Sequence, residues 1–224
     1  MDNVHKTRET APLMGRRNEH TQEQQREMAL AAGELLIVKE GVDSFSMRKV
    51  AQAIGYTVGN LYLLFANQDD LLAAINERTA DAMHTFLFNA SDSLQDPRER
   101  LRAMGSAYIE FAQRHPQRFR LMFEHRLPDE MLPRHATDQR IKRLFDLVET
   151  NVRPLLPRAR PEQLRAAAAA LWSAVHGVCV LVATGKLEWS GVKDLRDLAD
   201  GVVDIVLTGL TGGGPLARRR SRKS

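Results

Sequence analysis

Residues 46–65 read SMRKVAQAIGYTVGNLYLLF, and their pattern decides the fold. Ser46 offers a hydroxyl to cap a helix, and Val50, Ala51 and Ile54 follow on one face. Gly55 then permits a turn that a β-branched residue would resist. Thr57 opens a second short helix that runs to Leu63, with Leu61 and Phe65 turned inward. Two short helices joined by a glycine make a helix-turn-helix, and small Ala51 lets them cross closely. The outward residues are those that would meet DNA. Thr57 stands at a helix start, where backbone N–H groups and a hydroxyl can hold a phosphate. Gly59 lets the helix approach a groove wall with no side chain in the way. Asn60 and Tyr62 reach phosphates or base edges, and Arg48 can bind phosphate or pair with guanine through two hydrogen bonds. The same pattern also suits a plain helical hairpin with a solvated face.

Working outward, Thr21 and Gln24 form a capping box ahead of Met28, Ala32, Leu35 and Leu36, and Gly41 stops that helix. Asn67 caps another helix, with Asp69 and Asp70 at the positive end of its dipole and apolar residues repeating to about Asn89. Asp96-Pro97 starts a further helix, and Pro116 restarts the chain. Residues 126–136 contain Pro128 and Pro133 and read as a loop before a helix from Ile141 to Val152. A helix over 161–184 carries a stripe of Leu164, Ala168, Leu171, Val175, Val178 and Val182. A last helix over 194–210 carries Leu195, Leu198, Val202, Ile205 or Val206, and Leu210. No strand alternation appears, so the expected fold is all-α. A three-helix headpiece would join a larger helical domain. The expected divisions are a flexible arm over 1–14, the helix-turn-helix domain over 15–66, the larger domain over 67–211 and a basic tail over 212–224. The helix from Asn67 is expected to be the only segment joining headpiece to larger domain.

With 224 residues and 43% hydrophobic content, the chain can bury a sizeable core. No apolar run reads as long enough to cross a membrane, and the first twenty residues lack the apolar stretch of a signal peptide. A single cysteine, Cys179, excludes an internal disulfide framework and points to a reducing cytoplasm. The net charge is +4, but five positive charges sit in the tail from Arg218 to Lys223. Between residues 16 and 68, six Lys/Arg balance six Asp/Glu, so geometry rather than bulk charge carries the nucleic-acid argument. The tail either attracts DNA non-specifically or is simply solvated.

Two further groups invite a chemical reading. Met104, Tyr108, Phe111, Met122 and Phe123 could line a pocket for an apolar effector, or could be plain core. Trp172, His176 and Cys179 share a helix face; Trp172 and His176 could wall the same cavity, or the face could be a core or dimer seam. His115, Glu124, His125 and His135 make no metal-binding spacing, and neither HExxH nor CxxC occurs. With no phosphate loop and no nucleophile elbow either, we expect no metal, no cofactor and no enzyme.

The sequence resembles the TetR (tetracycline-repressor) family. The resemblance runs from about Thr21 to Ile75 and includes the lead-in Gly41 to Ser46, Val50 to Gly55, and Val58 to Tyr62 followed by Phe65 and Asp70-Leu71-Leu72. A second resemblance, to the C-terminal domain type named for its Trp…His-Gly motif, lies in Ala112 to Phe123 and in Leu171 to Gly177. Together they imply an effector-binding and dimerisation domain, a homodimer formed by 161–184 and 194–210, and repression more often than activation. They imply a DNA surface of Ser46, Arg48, Thr57, Gly59, Asn60 and Tyr62. The expected function is a regulator released from an inverted-repeat operator by a small, largely apolar effector, without membrane association. The departures are Met47, Leu63, Leu64 and Gln68, where the family often has phosphate-binding residues, and Lys49, where it often has an acid. Arg16 and Arg17 of the arm, and Lys49 itself, are candidates to compensate. These departures keep open an interaction module with weakened DNA binding; an enzyme is the remaining alternative.

Overall fold

The caps written into the sequence place the helices. In the computed structural model, which describes residues 20–123 and 134–212 (side chains of 134–138 excepted), Thr21 Oγ1 accepts from Gln24 N–H at 3.2 Å while the Gln24 side chain accepts from Thr21 N–H at 2.8 Å. This box starts α1 (Gln22–Glu40). Ser46 caps α2 (Met47–Ile54), Thr57 caps α3 (Val58–Tyr62) and Asn67 caps α4 (Gln68–Ser91). Asp96 caps α5 (Pro97–Arg114), which leads into α6 (Pro116–Phe123). The remaining helices are α7 (Arg134–Val152), α8 (Pro161–Ala183) and α9 (Leu195–Thr211), the last capped by Asp194. Caps of this kind each stabilise by about 1 kcal/mol. No strand occurs among the described residues, and the fold is all-α.

Two clusters of apolar side chains form the core. The first gathers α1 to α3 onto the start of α4 through Ala29, Ile37, Phe45, Val50, Leu61, Phe65 and Ile75. The second is built around α5, which packs between α4, α8 and α9, with α7 closing one side. Arg102 of α5 forks onto Asp204 of α9 at 2.8 and 2.9 Å, and Ser106 donates to Asp200 at 3.2 Å.

Several expectations are corrected. The helix expected from Ile141 begins at Arg134, directly after Pro133, because a proline ahead of the first helical residues satisfies a helix start as well as it ends one. The stripe of α8 is core: Leu164, Ala168, Leu171, Val175 and Val178 are all buried within the protomer. Helix α8 is also long and apolar enough to cross a membrane by length and composition. A third of its most apolar stretch is buried in the protomer, against α5, α7 and α9, while Val180 and Leu181 stay exposed. The helix from Asn67 is not the only link between the two clusters. Leu121 of α6 is wholly buried in the first cluster, while Phe119 of the same helix is buried in the second. The arm with Arg16 and Arg17, the rest of the loop before Arg134, and the basic tail from residue 213 lie outside the described residues.

Candidate nucleic-acid interface and internal cavity

The α2–α3 unit is held by a backbone turn and by burial. Gly55 takes φ +75° and ψ +24°, and its N–H reaches the carbonyls of Ala51 and Gln52, so the chain reverses where an L side chain would be strained. Val50, Ala51, Leu61 and Phe65 are buried beneath the two helices. Arg26 of α1 adds a clamp: its guanidinium donates to Leu64 O at 2.8 Å and lies 4.4 Å from the centre of the Phe65 ring. Arg26 was not legible as part of this site, because the contact joins residues 38 apart in sequence.

On the opposite face, Arg48, Thr57, Gly59 and Tyr62 are exposed, with Asn60 and Ser46 half-buried beside them. Tyr62 is 54% exposed and packs into neither cluster. Arg48 has no ion-pair partner among the described residues. The Thr57 hydroxyl is already engaged, accepting from Asn60 N–H and donating to Asn60 Oδ1 at 2.6 Å. A methyl added at Gly59 would meet nothing closer than Thr57 Oγ1 at 3.7 Å. The protein's own packing therefore does not require glycine there.

The departures sort differently from expectation. Met47 is buried and belongs to the headpiece core, so it does not stand on the outward face. Leu64 packs against the same core. Leu63 alone is fully displayed, at 77% exposed. Lys49 pairs on the surface with Glu40 at 2.6 Å and donates to Ser44 O at 2.8 Å.

In the larger cluster, Tyr108, Trp172 and His176 meet. Trp172 Nε1 donates to the Tyr108 hydroxyl at 3.3 Å, and that hydroxyl sits 3.0 Å from His176 Nδ1. Since indole can only donate, the satisfied arrangement has Tyr108 donating on to Nδ1 of a neutral imidazole. Burial lowers the His176 pKa, which keeps it neutral, and burial raises that of Tyr108. Burial also pushes the Cys179 thiol up to about 12, so it is a packing group.

Beside this network lies a cavity of about 60 Å³ whose walls include Met104, Tyr108, Phe123 and Trp172. Helix α7 supplies Ile141, Leu144, Phe145 and Val148, which sequence reasoning left out although their spacing marks one helical face. Phe111 and His176 do not line it: Phe111 packs against Phe86 and His115, and His176 stacks on Trp172 at 4.8 Å. Met122 lines a second, larger cavity of about 330 Å³ that shares Phe123, Ile141, Phe145 and Trp172 with the first. Asn76 borders this second space, and its Oδ1, sealed from solvent, lacks a hydrogen-bond partner. A buried acceptor left so costs about 1–3 kcal/mol. Among the described residues no group of His, Cys, Asp and Glu could hold a metal ion.

Helix α6 joins this cavity to the headpiece. Phe123 faces the cavity, Leu121 enters the headpiece core, and Arg118 donates to Thr79 Oγ1 of α4 at 3.1 Å. Arg118 also lies 3.9 Å from Glu34 of α1, which Arg78 of α4 approaches to 3.0 Å. Neither arginine gives Glu34 Oε1 a well-directed hydrogen bond, so the contact is one of charge.

Comparison with known proteins supplies the rest. Residues 29–75 match the family described as bacterial regulatory proteins, tetR family, and residues 101–206 match the tetracyclin repressor-like C-terminal domain. The nucleoid occlusion factor SlmA of Vibrio vulnificus is 28% identical over 130 residues, covering 58% of this chain and 65% of its own length. The HTH-type transcriptional activator FasR of Mycolicibacterium smegmatis is 29% identical over 118 residues, covering 52% of this chain and 54% of its own. The chain thus spans about two thirds or less of these relatives. A TetR family transcription regulator of Marinobacter aquaeolei VT8 superposes with a TM-score of 0.60 at 17% identity, over 83% of this chain and 94% of that one.

Proposed function

The chain belongs to the TetR family of DNA-binding regulators, and on that premise we propose that it is a cytoplasmic homodimer that represses from an inverted-repeat operator and leaves it when a small, largely apolar effector is bound. The observation that carries the DNA reading is the two-sidedness of α2–α3. One face is buried, and the other presents Arg48, Gly59 and Tyr62, which the fold itself does not use, beside Asn60. Glycine at 59 is then explained by the close approach of a groove wall. Ser46 and Thr57 hold the helix starts against the phosphates.

Dimerisation is supported by apolar side chains that the protomer leaves uncovered on α8 and α9. These are Val180, Leu181 and above all Ile205, at 74% exposed. Two headpieces so joined would read half-sites about 34–36 Å apart. The effector reading rests on the two cavities and on α6. Rotation of Phe123 or Trp172 would merge the cavities, and motion of α6 would reach the headpiece through Leu121. A 100-fold change in operator affinity needs about 2.7 kcal/mol of coupling.

The test is to select bound DNA from random duplexes with the purified protein, then titrate it at several salt concentrations. Arg48→Ala should weaken binding by about 1–3 kcal/mol at one base pair, or lower the salt slope by about one if it meets phosphate. Tyr62→Ala should weaken binding without unfolding the protein. Operator affinity unchanged in both variants would overturn this interface. A second reading follows from the relatives: a part in nucleoid occlusion, as the name of SlmA states for that protein, in place of promoter control. Binding sites scattered across the genome rather than placed at promoters would favour it, and expression that falls on deletion would favour activation over repression.

A further inference from the structure

We propose that His20, steadied by Tyr56, is a further DNA contact, donating from Nε2 to an operator phosphate beside the start of the recognition helix α3; the proposal rests on the DNA reading above. His20 stands immediately before Thr21, the residue that caps α1, and Tyr56 immediately before Thr57, the residue that caps α3. The two lie 36 apart in sequence, yet His20 Nδ1 is 3.0 Å from the Tyr56 hydroxyl, with the rings edge to face and their centres 6.4 Å apart. Tyr56 follows the turn at Gly55, and its own N–H bonds back to Ala51 O at 3.0 Å. Its ring is half-buried and belongs to neither apolar cluster, so core packing does not account for it. The contact brings the start of α1 to the edge of the outward face that begins at Thr57.

The polar groups around His20 are spent on one another. Thr21 and Gln24 close their capping box, and the Gln25 side chain donates to the His20 carbonyl at 3.0 Å. His20 Nε2 is different: it has no hydrogen-bond partner among the described residues, and it is not sealed from solvent. No carboxylate among those residues pairs with the ring, so its anion must come from outside the protein. The Tyr56 contact sets the ring's chemistry. With the hydroxyl donating to Nδ1, the neutral ring carries its proton on Nε2, and the imidazolium carries one there as well. A phosphate beside Nε2 favours both forms over the tautomer in which Nε2 accepts. Half-buried and tied at one nitrogen, the ring also loses less freedom on binding than a loose surface side chain would.

The experiment uses the full chain and the selected operator, with phosphates replaced one at a time by neutral methylphosphonates. His20→Ala, confirmed folded by circular dichroism, should bind the unmodified operator about 10-fold more weakly than the parent, and unrelated duplexes should weaken alike. One phosphate in each half-site should cost the parent protein about 5-fold when neutralised and cost His20→Ala less than about 2-fold. The other phosphates should keep their cost in both proteins. Tyr56→Phe, which keeps the ring and loses the hydroxyl, should weaken binding by a smaller factor and add nothing to His20→Ala in the double variant. Operator affinity unchanged in His20→Ala would overturn the proposal. A weakened variant in which every methylphosphonate costs what it costs the parent would overturn it too, since His20 would then only brace the fold. If Arg48→Ala and Tyr62→Ala weaken binding while His20→Ala does not, the DNA reading stands and this contact falls. Unchanged binding in all three variants defeats both.

Discussion

Leu121→Ala is the perturbation that most directly tests how the two halves of the molecule are joined. Leu121 is wholly buried and is the α6 residue that enters the headpiece core. The substitution removes three carbon groups at about 0.8 kcal/mol each, or roughly 2.4 kcal/mol of transfer free energy. The space left is bounded by α1, α4 and α6, and α1 and α4 are held by their caps and by the Arg78–Glu34 contact, so it collapses only in part. A residual void of roughly 40 Å³ adds about 1 kcal/mol at 24 cal/mol per Å³. The expected loss is therefore about 3–4 kcal/mol, or about 10 °C in Tm for a chain of this size. The control is Leu164→Ala in α8, equally buried but in the other cluster. Both variants should lose comparable stability by thermal and urea unfolding. Only Leu121→Ala should loosen the headpiece, weakening operator binding by roughly 5–10-fold at a temperature where both are folded, equivalent to about 1–1.4 kcal/mol of ordering. If the two variants bind operator equally well, or if Leu121→Ala shifts Tm by no more than a degree or two, α6 does not couple cavity to headpiece.

Other outcomes follow from single residues. Leu63→Lys places a cation at the most displayed position beside the recognition helix, so operator affinity at low salt should rise and the salt slope should steepen by about 0.9; an unchanged slope would remove Leu63 from the phosphate path. The pKa of His176 is lowered by burial, and that of His115 by burial and by Arg118 and Arg114, so both are neutral in the fold while the unfolded imidazole titrates near 6.5. The stability they contribute is present above about pH 6.5 and is lost as pH falls toward their lowered folded values. The urea midpoint should fall between about pH 7.5 and 5.5, less so in the His115→Gln/His176→Gln double variant, and a midpoint that rises on acidification would contradict the assignment. Cys179, wholly buried and titrating only near 12, should resist a thiol reagent at about pH 8 until urea unfolds the chain; rapid labelling of the native protein would show that α8 opens.

The sequence by itself determined the elements and the outward face of the headpiece. Thr21, Ser46, Thr57, Asn67, Asp96 and Asp194 start the helices they were read to start, because capping is a contact between residues two or three apart. Gly55 likewise marks its own turn, since the left-handed conformation is a property of one residue. Only the tertiary structure decided what each apolar stripe faces. The α8 stripe of Leu164 to Val178 could as well have been a dimer seam, and periodicity shows that a face is buried without showing against what. Met47 and Leu63, both apolar and sixteen residues apart, were indistinguishable as departures from the family pattern, yet one is core and the other is displayed. Arg26 on Leu64, Lys49 on Glu40, and α6 entering the headpiece are contacts between residues far enough apart that no local spacing announces them. The unpartnered Oδ1 of Asn76 belongs to the same class. A side chain's lack of a hydrogen-bond partner is a statement about everything packed around it, and that exists only once the chain is folded.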